Sequence, residues 1–401
     1  MITPRPIPGI GHAIPSQVEL EHTGNSRPPS PDSNSSQTGL QFDPDHYGLN
    51  DTTCLEEFPA FFSEIDRSLN FRQQKSGSIT ADDLDISWKA EGLVRAMIYN
   101  KKLFIIEAKY SGSGYGVRRS LAILSSIHRV IVSSHDHIPN IEFVFSVSDT
   151  PDANHQNHTM WTLTRRSDDE YFWLMPDFGF WSWELDLVGE YNEVRQKMAN
   201  EEIPFDIKIP QAVWRGAAKT NTLRSDLLEV TRAKPWADVK EVRWSGRTTL
   251  SEATLRDVKT TWGLCKYKYL IQTEGASYSG RGKYLQNCHS IVIMHEREWI
   301  EHYHALLSSS GPEQNYVEVS RDWHDLEDNI QHLERDQELA LRIANNSAST
   351  FRDRYLTPAA QACYWRRLFK AWASVSFEPE LYAQDGMGEW VMRGVPYETY
   401  M

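Results

Sequence analysis

The chain has no run of about eighteen apolar residues, so none of it reads as a membrane-spanning helix. Its first residues, MITPRPIPGIGHAIPS, lack the apolar block of a secretory signal. Cysteine is scarce, four in 401 residues and none in a C-x-x-C pair, which argues against a zinc site. Positive charge is outweighed: 42 Lys and Arg face 55 Asp and Glu, for a net charge of −13. That balance argues against nonspecific nucleic-acid binding through a basic surface. No internal repeat is visible. What the chain holds in quantity is aromatic, with 14 Trp and 17 Tyr. Such a load suits sugar-stacking surfaces and large cores alike, and core is the plainer reading for most of it. A chain of this length can carry two ordinary domains.

Residues 1–45 are rich in Pro, Ser, Gly and Asn (RPPSPDSNSSQTG) and poor in apolar side chains, so they read as a linker or stem. Asp82 to Asn100 places Ile86, Leu93, Val94 and Met97 near helical spacing. Lys102 to Ala108 reads as a strand, Arg118 to Val132 as a helix with one apolar face, and Ile141 to Val147 as a second strand. Strand, helix, strand predicts a parallel sheet in the first half. Met160 to Trp183 is dense in Trp and Phe; it either covers that sheet or lines a cleft. A helix over Glu190 to Asn200 leads to an extended crossing, and we expect the domain boundary near residue 205. Beyond it, Ala212 to Trp214, Val239 to Trp244, Tyr267 to Gln272, Ser290 to Met294 and Asn315 to Val319 read as strands, and Asp322 to Val375 as mostly helical. The predicted fold class is α/β: two Rossmann-like, doubly wound halves facing a cleft. The halves are residues 46–205 and 206–375, followed by a tail at 376–401.

The second half is organised around Cys265 to Glu296, CKYKYLIQTEGASYSGRGKYLQNCHSIVIMHE. A strand runs into a loop, Glu274 to Gly282, that holds Gly275, Ser277, Tyr278, Ser279, Gly280 and Arg281. A short helix (Lys283 to Asn287) and another strand follow. Strand, Gly-rich loop, helix, strand is the unit that binds nucleotides at the carboxyl edge of a parallel sheet, and an Arg there can fork onto a phosphate. An ordinary βα turn is the alternative. Arg215, Gly216 and Lys219 leave an earlier strand in a similar turn before a helix that starts near Arg224. Asp149 follows a hydrophobic strand, a place from which a carboxylate projects into a cleft, although an Asp there also caps the next element.

These blocks carry a resemblance. EG-x-SYSGRGKYL followed by SIVI resembles the sugar-nucleotide signature of glycosyltransferase family 90. That family includes Rumi-type protein O-glucosyltransferases and fungal capsule-associated xylosyltransferases. WRG at Trp214 to Gly216 with Arg224, and SDTP at Ser148 to Pro151, agree in type and order, so the similarity runs from Val144 to Trp372. The resemblance implies a GT-B arrangement and metal-independent, inverting transfer of a sugar, glucose or xylose, from a UDP-sugar to a protein or glycan hydroxyl. It implies Asp149 as catalytic base. Arg215 and Arg281, supported by Lys219 and Arg224, would hold the diphosphate. Gly216, Gly275, Ser277, Tyr278, Ser279 and Gly280 would wrap the nucleotide, with Gly at these positions allowing left-handed backbone and close approach. Glu296, beside His295, sits where a ribose or sugar hydroxyl could be held, unless the two form only a local pair. An Arg often precedes the family's aspartate; here that residue is Ser148.

A metal-dependent transferase would use a D-x-D such as Asp83-Leu84-Asp85. That sequence leads into an expected helix, whose N-terminal end explains the acids more simply. A lectin-like relative with the same fold is a second rival. A glycoside hydrolase, which needs two flanking carboxylates, ranks last. The resemblance also implies disulfides Cys265–Cys288 and Cys54–Cys363, hence an oxidising secretory lumen and a membrane anchor missing from this sequence. The sequons at Asn157 and Asn345 are compatible with that compartment. Intact mass before and after reduction and alkylation checks the pairing: four alkylatable thiols without reductant would refute it.

Overall fold

The computed structural model describes residues 42–401 except 76, 111–113, 152–157, 184–187 and 244–257. Nearly all of the expected linker, Trp244 and Asn157 therefore lie outside the described residues. In chain order the first elements are α1 (Asp51–Glu57), α2 (Ser63–Lys75), β1 (Leu93–Tyr99), β2 (Lys102–Lys109), α3 (Tyr115–Ser133), β3 (Ile141–Ser146), β4 (Met160–Thr162) and β5 (Phe172–Leu174). A short ribbon, β6 (Ser182–Trp183) with β7 (Gly189–Glu190), leads into α4 (Tyr191–Asn200). Then come β8 (Ile209–Gly216), α5 (Thr222–Val230), β9 (Ala237–Glu241), β10 (Tyr267–Gln272), α6 (Gly282–Leu285), β11 (Ile291–His295), β12 (Val317–Val319), α7 (Leu326–Arg335) and α8 (Gln337–Ser347). The last elements are α9 (Pro358–Ala373), the hairpin β13 (Tyr382–Gln384) and β14 (Trp390–Met392), β15 (Val395–Pro396) and α10 (Tyr397–Tyr400).

Residues 93–99 form a strand, where helical spacing was expected. LVRAMIY is a short apolar run, and such runs fit either period. Here Leu93, Val94, Ala96, Met97 and Ile98 are all buried, because β1 lies between two partners and is covered on both faces. That insertion also corrects the expected parallel sheet. β1 pairs antiparallel with both β2 and β3, so β2, α3 and β3 make the foreseen parallel crossover with a strand of opposite direction between them. β3, β4 and β5 continue in parallel. The first sheet is therefore mixed, in the order β15-β2-β1-β3-β4-β5.

The aromatic run 160–183 divides by position. Trp161 and Trp173 lie on strands and pack into the core; Trp161 stacks on Phe143 at 4.0 Å and meets the edge of Trp372 at 5.5 Å. Trp372 belongs to α9 and donates to the Glu142 carbonyl at 2.9 Å, so this late helix shares the first sheet's core. Phe178, Trp181 and Trp183 instead line a surface cavity. The last residues also return to the first sheet. β15 pairs with β2, and Arg393 and Arg95 both reach the buried Glu142. Gly394 is needed there: its φ is +80° and a Cβ would stand 2.7 Å from the Ile105 carbonyl oxygen.

The second sheet is all parallel, in the order β12-β11-β10-β8-β9. Ala212, Trp214, Tyr269, Ile271, Ile291 and Ile293 face α5, α7 and α8. Val213, Leu270, Val292 and Met294 face α4 and α6. Covering both faces explains why every residue of β10 is buried although its sequence alternates. The strand order reverses between β8 and β10, which opens a crevice beyond their carboxyl ends. Cys265–Cys288 clips the approach to β10 to the segment after α6, and Cys54–Cys363 joins α1 to α9.

His302, between β11 and β12, plugs into the first sheet's aromatic core. Its ring lies 4.9 Å from Tyr364 and 5.3 Å from Phe180, and one ring nitrogen is 2.9 Å from Gln361 Oε1. Burial pushes its pKa down from 6.5 to about 3. As pH falls through that interval, the unfolded chain takes up a proton that the folded chain refuses. Stability should therefore drop by about 1.4 kcal/mol per pH unit from this residue. Denaturant unfolding at roughly pH 7.5 and 5.5 checks it: His302→Gln should lose less stability on acidification than the unsubstituted protein.

Candidate functional site

β8 ends in Trp214-Arg215-Gly216 at the crevice. Gly216 is set by close approach, since a Cβ there would stand 2.5 Å from the Trp214 ring. Arg215 turns toward β9. Its Nη2 forks onto both carboxylate oxygens of Asp238 at 2.8 Å, and its Nη1 donates to the Trp214 carbonyl at 2.9 Å. Tyr267 donates to the same carboxylate at 2.6 Å. Burial alone would raise the Asp238 pKa, but the hydrogen bonds from Arg215 and Tyr267 prevail and lower it. Lys219 is exposed on the turn that follows.

Arg224 lies in the first turn of α5, whose cap is Asn221. The Asn221 side chain accepts from the Arg224 N–H at 3.1 Å and donates to the Glu274 and Gly275 carbonyls at 3.0 and 2.7 Å. One residue thus ties the two βα loops together. Among the described residues the Arg224 guanidinium reaches only neutral oxygens: Thr273 Oγ1 at 3.1 Å and the Glu274 carbonyl at 2.9 Å through Nε, and the Ala217 carbonyl and Thr220 Oγ1 at 3.4 and 3.3 Å through Nη1. Burial pushes its pKa down to about 10.

The loop after β10 runs beside it. Gly275 and Gly280 do not have left-handed backbone, contrary to the expectation; they are fixed by crowding. A Cβ on Gly275 would stand 2.9 Å from the Tyr278 carbonyl, and one on Gly280 would stand 2.9 Å from the Trp183 ring. Tyr278 is buried in the first sheet's core, and Ser277 is buried with its hydroxyl donating to the backbone carbonyl of Asp149. Ser279 lines the crevice. Arg281 donates to the Arg215 carbonyl and lies 5.7 Å from the centroid of the Trp214 ring. Burial, and then the neighbouring Arg224, push its pKa down to about 9. Among the described residues neither Arg224 nor Arg281 has a carboxylate within ion-pair distance. Together with Arg215, Gly216, Lys259 and Ser279 they line a crevice of about 410 Å³. Trp183 of the first half closes one side.

Asp149 comes to this site across the chain. Its side chain is 48% exposed, and Oδ1 accepts from Arg119 Nη1 at 2.6 Å. Ser148 has a different partner, Lys89 Nζ at 3.1 Å from its hydroxyl. The guanidinium facing Asp149 thus comes from α3. The sequence reading missed it because Arg119 sits in the apolar face of a helix, 30 residues away. It likewise missed Asp177 and Lys283, an ion pair at 2.8 Å with both side chains at most 1% exposed.

Glu296 does not line the crevice; it is exposed, and its carbonyl accepts from His295 Nδ1 at 2.7 Å. The other His295 nitrogen accepts from the Glu274 N–H at 3.1 Å, so this His-Glu forms the local pair. Asp83 is bound to Arg72 and Thr80 at 3.0 Å, and Asp85 to Ser87 at 2.7 Å, so the D-x-D carboxylates are taken up locally. Fixed cations beside a crevice at a sheet's switch point suit a diphosphate, and a half-exposed carboxylate, on a residue whose backbone carbonyl accepts from the same loop, suits proton abstraction.

The family model described as Glycosyl transferase family 90 matches residues 53–387. Protein O-glucosyltransferase 1 of Rattus norvegicus is 28% identical over 260 residues, 61% of this chain and 65% of that protein. An O-glucosyltransferase rumi homolog of Aedes aegypti is 26% identical over 269 residues, 63% of this chain and 65% of that protein. The O-glucosyltransferase rumi of Drosophila melanogaster is 23% identical over 370 residues, 80% and 87% of the two chains. Against the first two, the chain spans just under two thirds of the relative's length.

Among the described residues the neighbouring guanidiniums of Arg224 and Arg281 have no counter-charge, which opposes folding in the absence of a bound anion. Arg281→Met should raise the stability of the unliganded protein by about 1 kcal/mol, while abolishing stabilisation by inorganic pyrophosphate. Thermal unfolding with and without pyrophosphate checks both signs; a destabilised variant that still responds to pyrophosphate would refute the assignment.

Proposed function

The chain belongs to glycosyl transferase family 90, and from that premise we propose that it transfers a sugar from a UDP-sugar to a hydroxyl of a protein or glycan acceptor. Glucose is the first choice of sugar, since the relatives are named O-glucosyltransferases, and xylose the second. The observation that carries the proposal is the pair Arg224 and Arg281, cations without a carboxylate partner among the described residues, lining the switch-point crevice.

The donor's diphosphate lies between these two guanidiniums. Arg215, already forked onto Asp238, braces the site through the carbonyl that holds Arg281. Gly216, Gly275, Ser279 and Gly280 form the floor along which the nucleotide runs. Ser277 and Tyr278 anchor the loop, while Lys219 and Glu296 lie outside the immediate contacts. The acceptor oxygen attacks the anomeric carbon as the bond from that carbon to the diphosphate oxygen breaks. Its proton passes to Asp149, and the leaving UDP carries the new negative charge toward Arg224 and Arg281. One displacement with one base inverts the anomeric centre. Because the arginines supply the charge that a metal would otherwise supply, the reaction is metal-independent.

The two sheets make the two lobes of a GT-B-like enzyme. The first lobe begins near residue 46 and gives way to the second near 205. α9 and the tail belong to the first, because Trp365, Phe369 and Trp372 share its core. The two disulfides and the Rumi-type relatives support work in a secretory-pathway lumen.

Calorimetry with UDP, followed by UDP release from UDP-glucose and UDP-xylose with and without EDTA, tests the reading. UDP should bind, one donor should turn over, and EDTA should change nothing. Asp149→Asn should abolish turnover with UDP affinity intact, and Arg224→Met should weaken UDP by about 1.5–3 kcal/mol. UDP binding without turnover of any donor would instead favour a non-catalytic sugar-nucleotide-binding relative.

A further inference from the structure

We infer that Arg119 is the positioning residue of the reaction: it holds Asp149 through Oδ1 and leaves the second carboxylate oxygen to take the acceptor's proton. The inference deepens the proposed function and rests on Asp149 being the base.

Asp149 leaves the end of β3 on an exposed loop, where an aspartate would otherwise turn among its rotamers. Arg119 removes that freedom. Its Nη1 donates both to the Val147 carbonyl at 3.0 Å and to Asp149 Oδ1 at 2.6 Å, so one nitrogen measures the carboxylate against the strand that carries it. Nη2 is occupied by the Tyr115 hydroxyl. The guanidinium carbon lies 3.9 Å from the Tyr115 ring centroid and 4.3 Å from that of Phe178, so neighbouring aromatic rings hold the group. Only 7% of the Arg119 side chain is exposed, against 48% for Asp149: the rigid partner is the arginine. Among the described residues Asp149 Oδ2 accepts no hydrogen bond, which leaves it for the acceptor hydroxyl. On the loop's other side, Ser277 holds the Asp149 backbone carbonyl, so the side chain of the base is fixed from α3 and its main chain from the loop after β10. Phe178 and Arg119 also border the cavity next to Trp183, which places this support directly beside the crevice.

Holding a base in register acts on the chemical step and not on donor binding. The test measures UDP release from whichever of UDP-glucose or UDP-xylose the protein turns over, with water as acceptor. Arg119→Gln should lower kcat about 10- to 100-fold, with donor KM and UDP affinity within about twofold. Arg119→Lys should recover part of the loss, and added guanidinium hydrochloride should recover part of it in Arg119→Ala. In an Asp149→Asn background, Arg119→Gln should cost nothing further, because the group it positions is gone. Should Arg119→Gln not fold, the Lys variant and the guanidinium rescue decide. Unchanged kcat, UDP affinity falling in step with kcat, no rescue by guanidinium, or losses that multiply in the double variant would each overturn the positioning role. Full turnover by Asp149→Asn alone would overturn the base assignment itself, and this inference with it; turnover lost in Asp149→Asn but kept in Arg119→Gln would sink only the inference.

Discussion

The Lys283–Asp177 pair governs where everything at the site stands. Lys283 lies in the first turn of the short helix after the Gly-rich loop, and Asp177 belongs to the first half; both are closed off from water and 2.8 Å apart. A bare ammonium could not be buried there, so the helix must sit where the carboxylate is. Lys283 also donates to the Gly280 carbonyl, and Asp177 accepts from the Gly179 N–H at 2.7 Å. The loop that carries Arg281 is thereby fastened to the segment that carries Phe178 and Trp183. Arg119, which orients Asp149, packs against the same Phe178.

Around that fastening the arginines divide by partner, and partner decides what each can do. Arg215 spends its fork on Asp238 and becomes a brace. Among the described residues Arg224 and Arg281 find only carbonyl and hydroxyl oxygens, which leaves their charge available to an anion. Motif letters point to Arg215 and Arg281 as the main pair, with Arg224 behind; the carboxylates in reach exchange Arg215 and Arg224. Glu296 and Lys219 are similar: they are correctly placed in the chain near the crevice, but their side chains point into solvent.

Local pattern made much of this legible. The strand at Tyr267, the loop to Gly282, the switch to helix and the next strand follow from apolar runs and glycine, with the helix start off by one residue and its end by two. The disulfides implied by the family resemblance are present. What was not legible depends on contacts between distant residues. Leu93 to Tyr99 reads equally well as about two turns of a helix until β2 and β3 flank it. Arg119, set in an apolar helix face, and Lys283, in a polar loop-to-helix turn, give no sign of a partner, because nothing near them in sequence reveals the carboxylates, 30 and 106 residues away, that make their burial possible. Of the two reasons expected for glycine in the loop after β10, close approach applies and left-handed backbone does not: Gly275 is crowded by the nearby Tyr278 carbonyl, and Gly280 by Trp183, nearly a hundred residues earlier.

The strand at Val395–Pro396 has a bearing on how the protein is made. The second sheet is complete once residue 319 has been synthesised, and its cystine closes within a stretch of 23 residues. The first sheet, begun earlier, waits for its border strand, for Arg393 and for Cys363, bonded across 309 residues. Vectorial synthesis therefore finishes the later half before the earlier one. Until residues 363 and 395 have emerged, the polypeptide carries an open β edge and an unpaired thiol at Cys54, each able to join with another chain.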